Sequence, residues 1–378
     1  MMFYRSHLKS ALALTVFAAL LVSGLGFGRT RAQSRQQQQT PRQPQPTPPQ
    51  TPQKSPTPKA TPTPNEDEVV HSDDEVVRVE TDLTNILFSA LDKQKRFVTN
   101  LKQEDVRVTE DGQPQEIFTF ARQTDLPLSL AILIDTSISE MRTLPEEKEA
   151  AAAFVDAVIR PDKDEAAVIS FTGEATLEQG LTGSVSRVRR ALNNIRFEPP
   201  AGFISSDPSA PTTPPINGSS RAGSTAIWDA VLSTSDDLLR NSSDKTRRAI
   251  ILITDGVDSS SRVRIEDAIE SAVKADAVIY SIGYGDLYYG GINEGSLRKL
   301  SERSGGRAFF PKDESDLRAA FNQIEQELRS QYLVAYSPAN KVRDGAFRKV
   351  QIEIVNPELR RQNLRLTYRQ GYFAKTKS

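Results

Sequence analysis

Apolar residues recur along this chain with two different periods, and the change between them divides it. From about residue 76 to 122 they fall at every second position in short runs, Val77 and Val79, Phe88 and Ala90, Val106 and Val108. That spacing predicts strands with one buried and one wet face. The pair Asp111-Gly112 before Ile117-Phe118 predicts a tight hairpin turn, because both residues tolerate positive φ. Residues 331 to 374 repeat the pattern in Tyr332, Val334 and Tyr336, in Val350, Ile352 and Ile354, and in Leu364, Leu366 and Tyr368, with Asp344-Gly345 between the first two runs. Neither terminal stretch has enough strands for a stable sheet of its own. The two are therefore expected to combine into one small β-sandwich.

Between them, from about 126 to 330, the period alternates. Leu128–Ile134 is a continuous apolar run, as suits a strand covered on both faces. Helical spacing follows at Glu146–Ile159, a strand at Ala166–Phe171 with a hairpin partner around Ala175–Gly180, and a helix near Ser184–Asn194. A helix over Ala226–Leu239 leads to the strand Ala249–Thr254, and a helix carrying Ile265, Ala268, Ile269 and Ala272 leads to the strand Ala277–Ile282. A short helix near Leu297–Ser304, a strand at Arg307–Phe310 and a helix carrying Leu317, Phe321, Ile324 and Leu328 complete the series. Repeated βα alternation over some 200 residues predicts an α/β fold, a doubly wound and mostly parallel sheet with helices on both faces.

The first 66 residues follow neither pattern. Residues 1–32 place Arg5 and Lys9 ahead of an apolar stretch from about Ala11 to Phe27 and end on Thr30-Arg31-Ala32, the layout of a cleavable secretory signal peptide. An uncleaved membrane tether is the other reading, and either one puts the rest of the chain outside the cytoplasm, in the periplasm, the cell envelope or the medium. Residues 33–66 hold ten of the 23 prolines among Gln and Thr, with almost nothing apolar, and are expected to form an extended disordered linker. A second proline-rich piece, residues 197–221, has six prolines and interrupts the α/β region as an insertion.

Composition narrows the chemistry. The 378 residues include no cysteine and two histidines, His7 and His71, both in the leading segment. That rules out thiolate metal sites, a thiol nucleophile and a histidine general base in the folded part, so any metal there is held by oxygen. With 48 Lys and Arg against 49 Asp and Glu, the near-neutral charge argues against a nucleic-acid partner.

The expected strand ends carry hydroxyls and carboxylates. The first buried strand runs into Asp135-Thr136-Ser137-Ile138-Ser139, a later one into Thr254-Asp255-Gly256, and the loop before the third helix reads Gly223-Ser224-Thr225-Ala226. Ligands of doubly wound sheets bind beyond the carboxyl ends of the strands, and this inventory suits one hard divalent ion. Ser137 and Thr225 also suit plain helix caps. Nearby, Glu146-Glu147-Lys148-Glu149 reads as a favourable acidic first helical turn, and Tyr284, Tyr288 and Tyr289 as ordinary rim tyrosines or a partner surface.

Asp135, Ser137, Ser139, Thr225 and Asp255, in that order, resemble the metal-ion-dependent adhesion site (MIDAS) of von Willebrand factor type A domains. The resemblance implies that the hydroxyls contact Mg²⁺ or Mn²⁺ directly, that the aspartates act largely through water, and that an acidic side chain of a protein partner completes the shell. Glu110-Asp-Gly-Gln-Pro-Gln-Glu-Ile-Phe, Gln331-Tyr-Leu-Val-Ala-Tyr-Ser-Pro and Arg369-Gln-Gly-Tyr-Phe are similar to flanking segments of the VWFA-related family described from Acidobacteria. An exported adhesion or envelope-assembly module, with no enzymatic activity, is the function implied. The alternatives are a metal-dependent hydrolase built on Asp135, weakened because Ser137 stands where a second carboxylate belongs, and an envelope component with a vestigial site.

Overall fold

The computed structural model describes residues 83–122, 126–197, 224–243, 246–285 and 291–376. The signal-like segment, the proline-rich linker, most of the 197–221 insertion, and Tyr288 and Tyr289 lie outside them.

The central layer is a six-stranded sheet in the order β10-β9-β8-β5-β6-β7. Its strands are β5 (Leu128–Asp135), β6 (Glu165–Phe171), β7 (Ala175–Thr182), β8 (Arg247–Thr254), β9 (Ala277–Gly283) and β10 (Ala308–Phe309). All neighbours are parallel except the β6–β7 hairpin. Period-2 geometry explains the continuous apolar runs. Leu130, Ile132 and Ile134 of β5, with Ile251 and Ile253 of β8, face a core shared with α1 (Leu144–Val158), α2 (Val185–Asn194) and α6 (Glu314–Leu328). Ala131 and Leu133, with Ile250 and Leu252, face the opposite core, shared with α3 (Ile227–Ser233), α4 (Ile265–Lys274) and α5 (Glu294–Ser304). Every residue of β5 and of β8 is buried, so neither face of the pair meets water.

After β5 the chain moves through α1 to β6 on one side, then returns through β8 on the other. The strand order therefore reverses between β5 and β8, and their carboxyl ends open the crevice where such sheets take ligands. The helix expected over 226–239 is α-helical only as far as Ser233 and continues as a π-helical turn, Thr234–Leu239, in which the Ser235 hydroxyl donates to the Val231 carbonyl at 2.8 Å. Among the described residues, no helix is long and apolar enough to cross a membrane.

Two four-stranded antiparallel sheets flank this layer, ordered β13-β1-β11-β4, with β4 at Ile117–Arg122, and β14-β12-β2-β3. They draw on both ends of the chain. β1 (Thr84–Leu91) pairs with β11 (Tyr332–Tyr336) and β13 (Arg365–Tyr368), and β2 (Val106–Glu110) with β12 (Phe347–Ile354). The two sheets share one core of Ile86, Phe88, Val108, Val334 and Ile352, with Phe88 stacked on Tyr332 at 5.1 Å between ring centroids. Buried Glu110 accepts hydroxyl bonds from Tyr336 and Tyr372, both at 2.9 Å, which ties β2, β11 and β14 (Gly371–Phe373) together. Asp111 and Gly112, with φ of 48° and 82°, form the tight turn between β2 and β3 (Gln113–Gln115). Asp344-Gly345 makes no such hairpin, because β11 and β12 belong to different sheets.

Leu133 is completely buried beneath the α3–α5 layer, whereas Leu177 on the edge strand β7 is 57% exposed. Leu133→Ala is expected to cost about 2–5 kcal/mol in urea unfolding, and Leu177→Ala less than about 0.5. Equal losses would contradict the two-sided burial of β5.

Candidate metal centre

Three loops meet at the β5/β8 crevice. In the first, Asp135 ends β5 with its side chain fully buried. Its Oδ1 accepts the Ser137 amide at 2.9 Å, which curls the loop back over the strand end, and its Oδ2 accepts the Thr254 hydroxyl at 2.6 Å. The Ser137 and Ser139 hydroxyls are 3.1 Å apart, Ser137 buried and Ser139 partly open to solvent. In the second loop, Thr254 closes β8, and its Oγ1 also accepts the Gly256 amide at 3.1 Å. Asp255 Oδ1 takes the Val257 amide at 2.8 Å. Gly256 sits at φ +80°, and a Cβ there would fall 2.8 Å from Leu297 Cγ, so this turn requires glycine.

Thr225 supplies the third loop and is held from both sides. Its amide donates to Ser259 Oγ at 2.8 Å, and its carbonyl accepts the amides of Ser259 and Ser260. The preceding carbonyl, of Ser224, accepts the Thr172 hydroxyl at 2.8 Å, while the Ala226 amide donates to the Thr172 carbonyl at 2.7 Å. Thr172 follows β6, whose last carbonyl, at Phe171, accepts the Thr136 amide at 2.8 Å. A closed circuit of hydrogen bonds thus runs from the Asp135 loop through the end of β6 to the Thr225 loop and on to the loop after Asp255. The amino end of α3 is capped by Asp258 and Ser261, which take the Ile227 and Trp228 amides. The Thr225 hydroxyl is thereby left out of helix capping, and Ser137 likewise makes no side-chain cap bond.

Two acidic residues near this site were not predicted from the sequence. Glu140 has no exposure at all; its Oε1 accepts the Asp255 amide at 3.0 Å and its Oε2 the Thr143 hydroxyl at 2.9 Å. One carboxylate oxygen each from Asp135, Glu140 and Asp255 lie within 4.8 Å of one another. Glu147 was read only as part of a favourable acidic first turn of α1, and it is fully buried, because α1 packs that side against the sheet. Tyr284 is buried too, and its hydroxyl donates to Glu146, so it is a packing residue rather than a rim tyrosine. The one sequence signal for Glu140 was its position immediately after Ser139 in a strand-end loop. Nothing local distinguished Glu147 from its exposed neighbour Glu149.

The electrostatics follow from burial. Loss of hydration pushes Asp135 up to about 7, against the hydrogen bonds from Thr254 and Ser137. It pushes Glu147 up to about 8 and Glu140 well above the usual carboxylate range, where Glu147, Asp135 and Asp255 add repulsion. Asp255 is raised by the same cause. These folded values lie above the unfolded ones, so the folded chain holds protons that the unfolded chain releases, and stability falls as pH rises through that interval. Groups held low, such as Asp164, act only below the ordinary carboxylate range. Chelator-treated protein is therefore expected to melt at progressively lower temperature from about pH 5 to about pH 8. A midpoint that rises over that interval would contradict the assignment.

The donor set fits a hard divalent ion: it is oxygen only, with the Ser137 and Ser139 hydroxyls 3.1 Å apart, the Asp135, Glu140 and Asp255 carboxylates within 4.8 Å of one another and Thr225 on the adjoining loop, open to solvent beside Ser139. Comparison with known proteins agrees on the domain. Residues 130–257 match one family model of the von Willebrand factor type A domain, and residues 216–323 match a second. No curated protein matches. Among solved structures, proximal thread matrix protein 1 from the mussel byssus aligns over 58% of this chain and 51% of its own, at 20% identity and a TM-score of 0.43. The chain thus spans about half the length of that protein. A second structure of it, described with a zinc occupied MIDAS motif, aligns at 19% identity over 58% and 50%, with a TM-score of 0.43. A von Willebrand factor type A protein from Catenulispora acidiphila aligns over 80% of this chain and 76% of its own, at 14% identity and a TM-score of 0.41. The two family matches together span Asp135, Ser137, Ser139, Thr225 and Asp255 and stop short of the flanking sheets. This is a von Willebrand factor type A domain protein.

Proposed function

We propose that this protein is an exported binding module that holds one Mg²⁺ or Mn²⁺ at the β5/β8 crevice and uses it to engage a carboxylate of a partner protein. The observation that carries this reading is the donor set itself, with the Ser137 and Ser139 hydroxyls 3.1 Å apart above the clustered carboxylates of Asp135 and Asp255. Ser137, Ser139 and Thr225 would hold the ion through their hydroxyls, and Asp135 and Asp255 would orient its water ligands. Such an ion supplies a concentrated positive charge, and neutral hydroxyl ligands leave much of that charge for an incoming carboxylate. The exposed side chain of Val257, 44% accessible and two residues from Asp255, would contribute apolar contact at the same rim.

A binding role is favoured over hydrolysis by the state of Asp135. A nucleophilic carboxylate must reach substrate. Both oxygens of Asp135 are instead committed to Ser137 and Thr254 beneath the surface. An extracytoplasmic location, in the envelope or beyond it, rests on the signal-like residues 1–32 and the linker 33–66, which would hold the module away from a surface. The flanking segments around Glu110, Gln331 and Arg369 favour the narrower VWFA-related family described from Acidobacteria.

Thermal unfolding with and without Mg²⁺ or Mn²⁺ tests the reading. A ligand at a hundredfold excess over its Kd stabilises by about 2.7 kcal/mol. The wild type is expected to melt several degrees higher with metal, and Asp255→Ala is expected to lose that gain. The same metal response in both proteins would overturn the reading.

A further inference from the structure

Glu140 lies one residue beyond the Asp-x-Ser-x-Ser motif, and no position of that motif calls for it. Its carboxylate lies on the buried side of the site, bonded to the Asp255 amide and within 4.8 Å of the Asp135 and Asp255 oxygens. Gly285 keeps the space for it. A Cβ at that position would fall 2.8 Å from Glu140 Oε1 and 3.2 Å from Asp255 Cβ. Behind it stands Glu147, fully buried beside the Thr143 hydroxyl and the Glu140 carboxyl, with no well-formed hydrogen bond to either of its oxygens. The charges acting most strongly on Glu140 are those of Glu147, Asp135 and Asp255.

Packing carboxylates together out of water removes hydration from each and sets them against one another. If Glu140 served only to fasten the loop, a neutral acceptor for the Asp255 amide would suffice, and burying Glu147 behind it without a well-formed hydrogen bond would add a further cost. A divalent cation in front of the cluster offsets both penalties. We propose that Glu140 is a third carboxylate of the metal centre and makes the ion resident, bound in the free protein before a partner arrives. With two aspartates alone, the ion's charge is only just matched and its retention leans on the partner's carboxylate. With Glu140 beneath, the protein supplies the excess negative charge, and the partner meets a loaded site from the Ser139 and Val257 side. This inference rests on Asp135, Ser137, Ser139, Thr225 and Asp255 forming the metal site.

The test is calorimetric titration of Mn²⁺ into the chelator-treated full chain without any partner, together with melting curves in chelator. The wild type is expected to bind one Mn²⁺. Glu140→Gln is expected to bind it at least about tenfold more weakly. In chelator, however, it should melt no lower than wild type, because glutamine still accepts the Asp255 amide and, like the protonated acid that burial favours in the empty site, carries no charge. Should Glu140→Gln fail to fold, Gly285→Ala, which displaces the Glu140 carboxylate without removing it, carries the same expectation of weaker Mn²⁺ binding. Wild-type affinity in Glu140→Gln alongside loss of binding in Asp255→Ala overturns the third-carboxylate role and leaves the metal reading standing. Wild-type affinity in Asp255→Ala, or no Mn²⁺ uptake by the wild type, overturns both.

Discussion

The hydrogen bond from the Thr254 hydroxyl to Asp135, 2.6 Å across the mouth of the β5/β8 pair, is the contact on which the site depends. It exists because the two most deeply buried strands of the sheet run side by side in parallel, with Ile134 opposite Ile253, and end together. Each strand is buried on both faces, so its register is fixed by two cores at once. A slip of one residue would reverse every side chain and separate Asp135 from the Asp255 loop. The hydrophobic layers thus do chemical work at a distance, setting the ends of two strands where hydroxyls and carboxylates meet.

Around that contact the loops hold one another rather than relying on helices or metal to place them. Thr172 links the end of β6 to Ser224 and Ala226, and Ser259 links Thr225 to the loop after Asp255. A site built this way is preorganised on its backbone, its loops fixed by their own hydrogen bonds. The strain shows in the carboxylates, since burial of Asp135, Glu140 and Glu147 disfavours the ionised form of each. A chain without cysteine, and without histidine beyond residue 71, has only oxygen with which to offset that crowding through a metal.

Much of this was legible in the sequence, for a physical reason in each case. Strands buried on both faces announce themselves as near-continuous apolar runs, and Leu128–Ile134, interrupted only by Ser129, was one. Sandwich strands announce themselves by alternation, so that Tyr332, Val334 and Tyr336 pointed to a one-sided core. The five polar positions stood out because hydroxyls and aspartates cluster at strand ends. Glu140 and Glu147 were not legible. Burial of a charge is decided by which face a short turn presents to the rest of the fold, and a run such as Glu146-Glu147-Lys148-Glu149 looks equally solvated along its length. The π-helical turn after Ser233 likewise depends on packing rather than on any local signal. Tyr284 sat in a Gly- and Tyr-rich loop that read as rim, and only the approach of α1 makes it interior.

The central claim is that Asp135, Ser137, Ser139, Thr225 and Asp255 surround one divalent ion. Anomalous diffraction from crystals grown in Mn²⁺ addresses it most directly. The account predicts a single strong anomalous peak in contact with the Ser137, Ser139 and Thr225 hydroxyls, absent from Asp255→Ala crystals grown in the same way. A crevice without a peak at saturating Mn²⁺, or a peak that persists in Asp255→Ala, would contradict it.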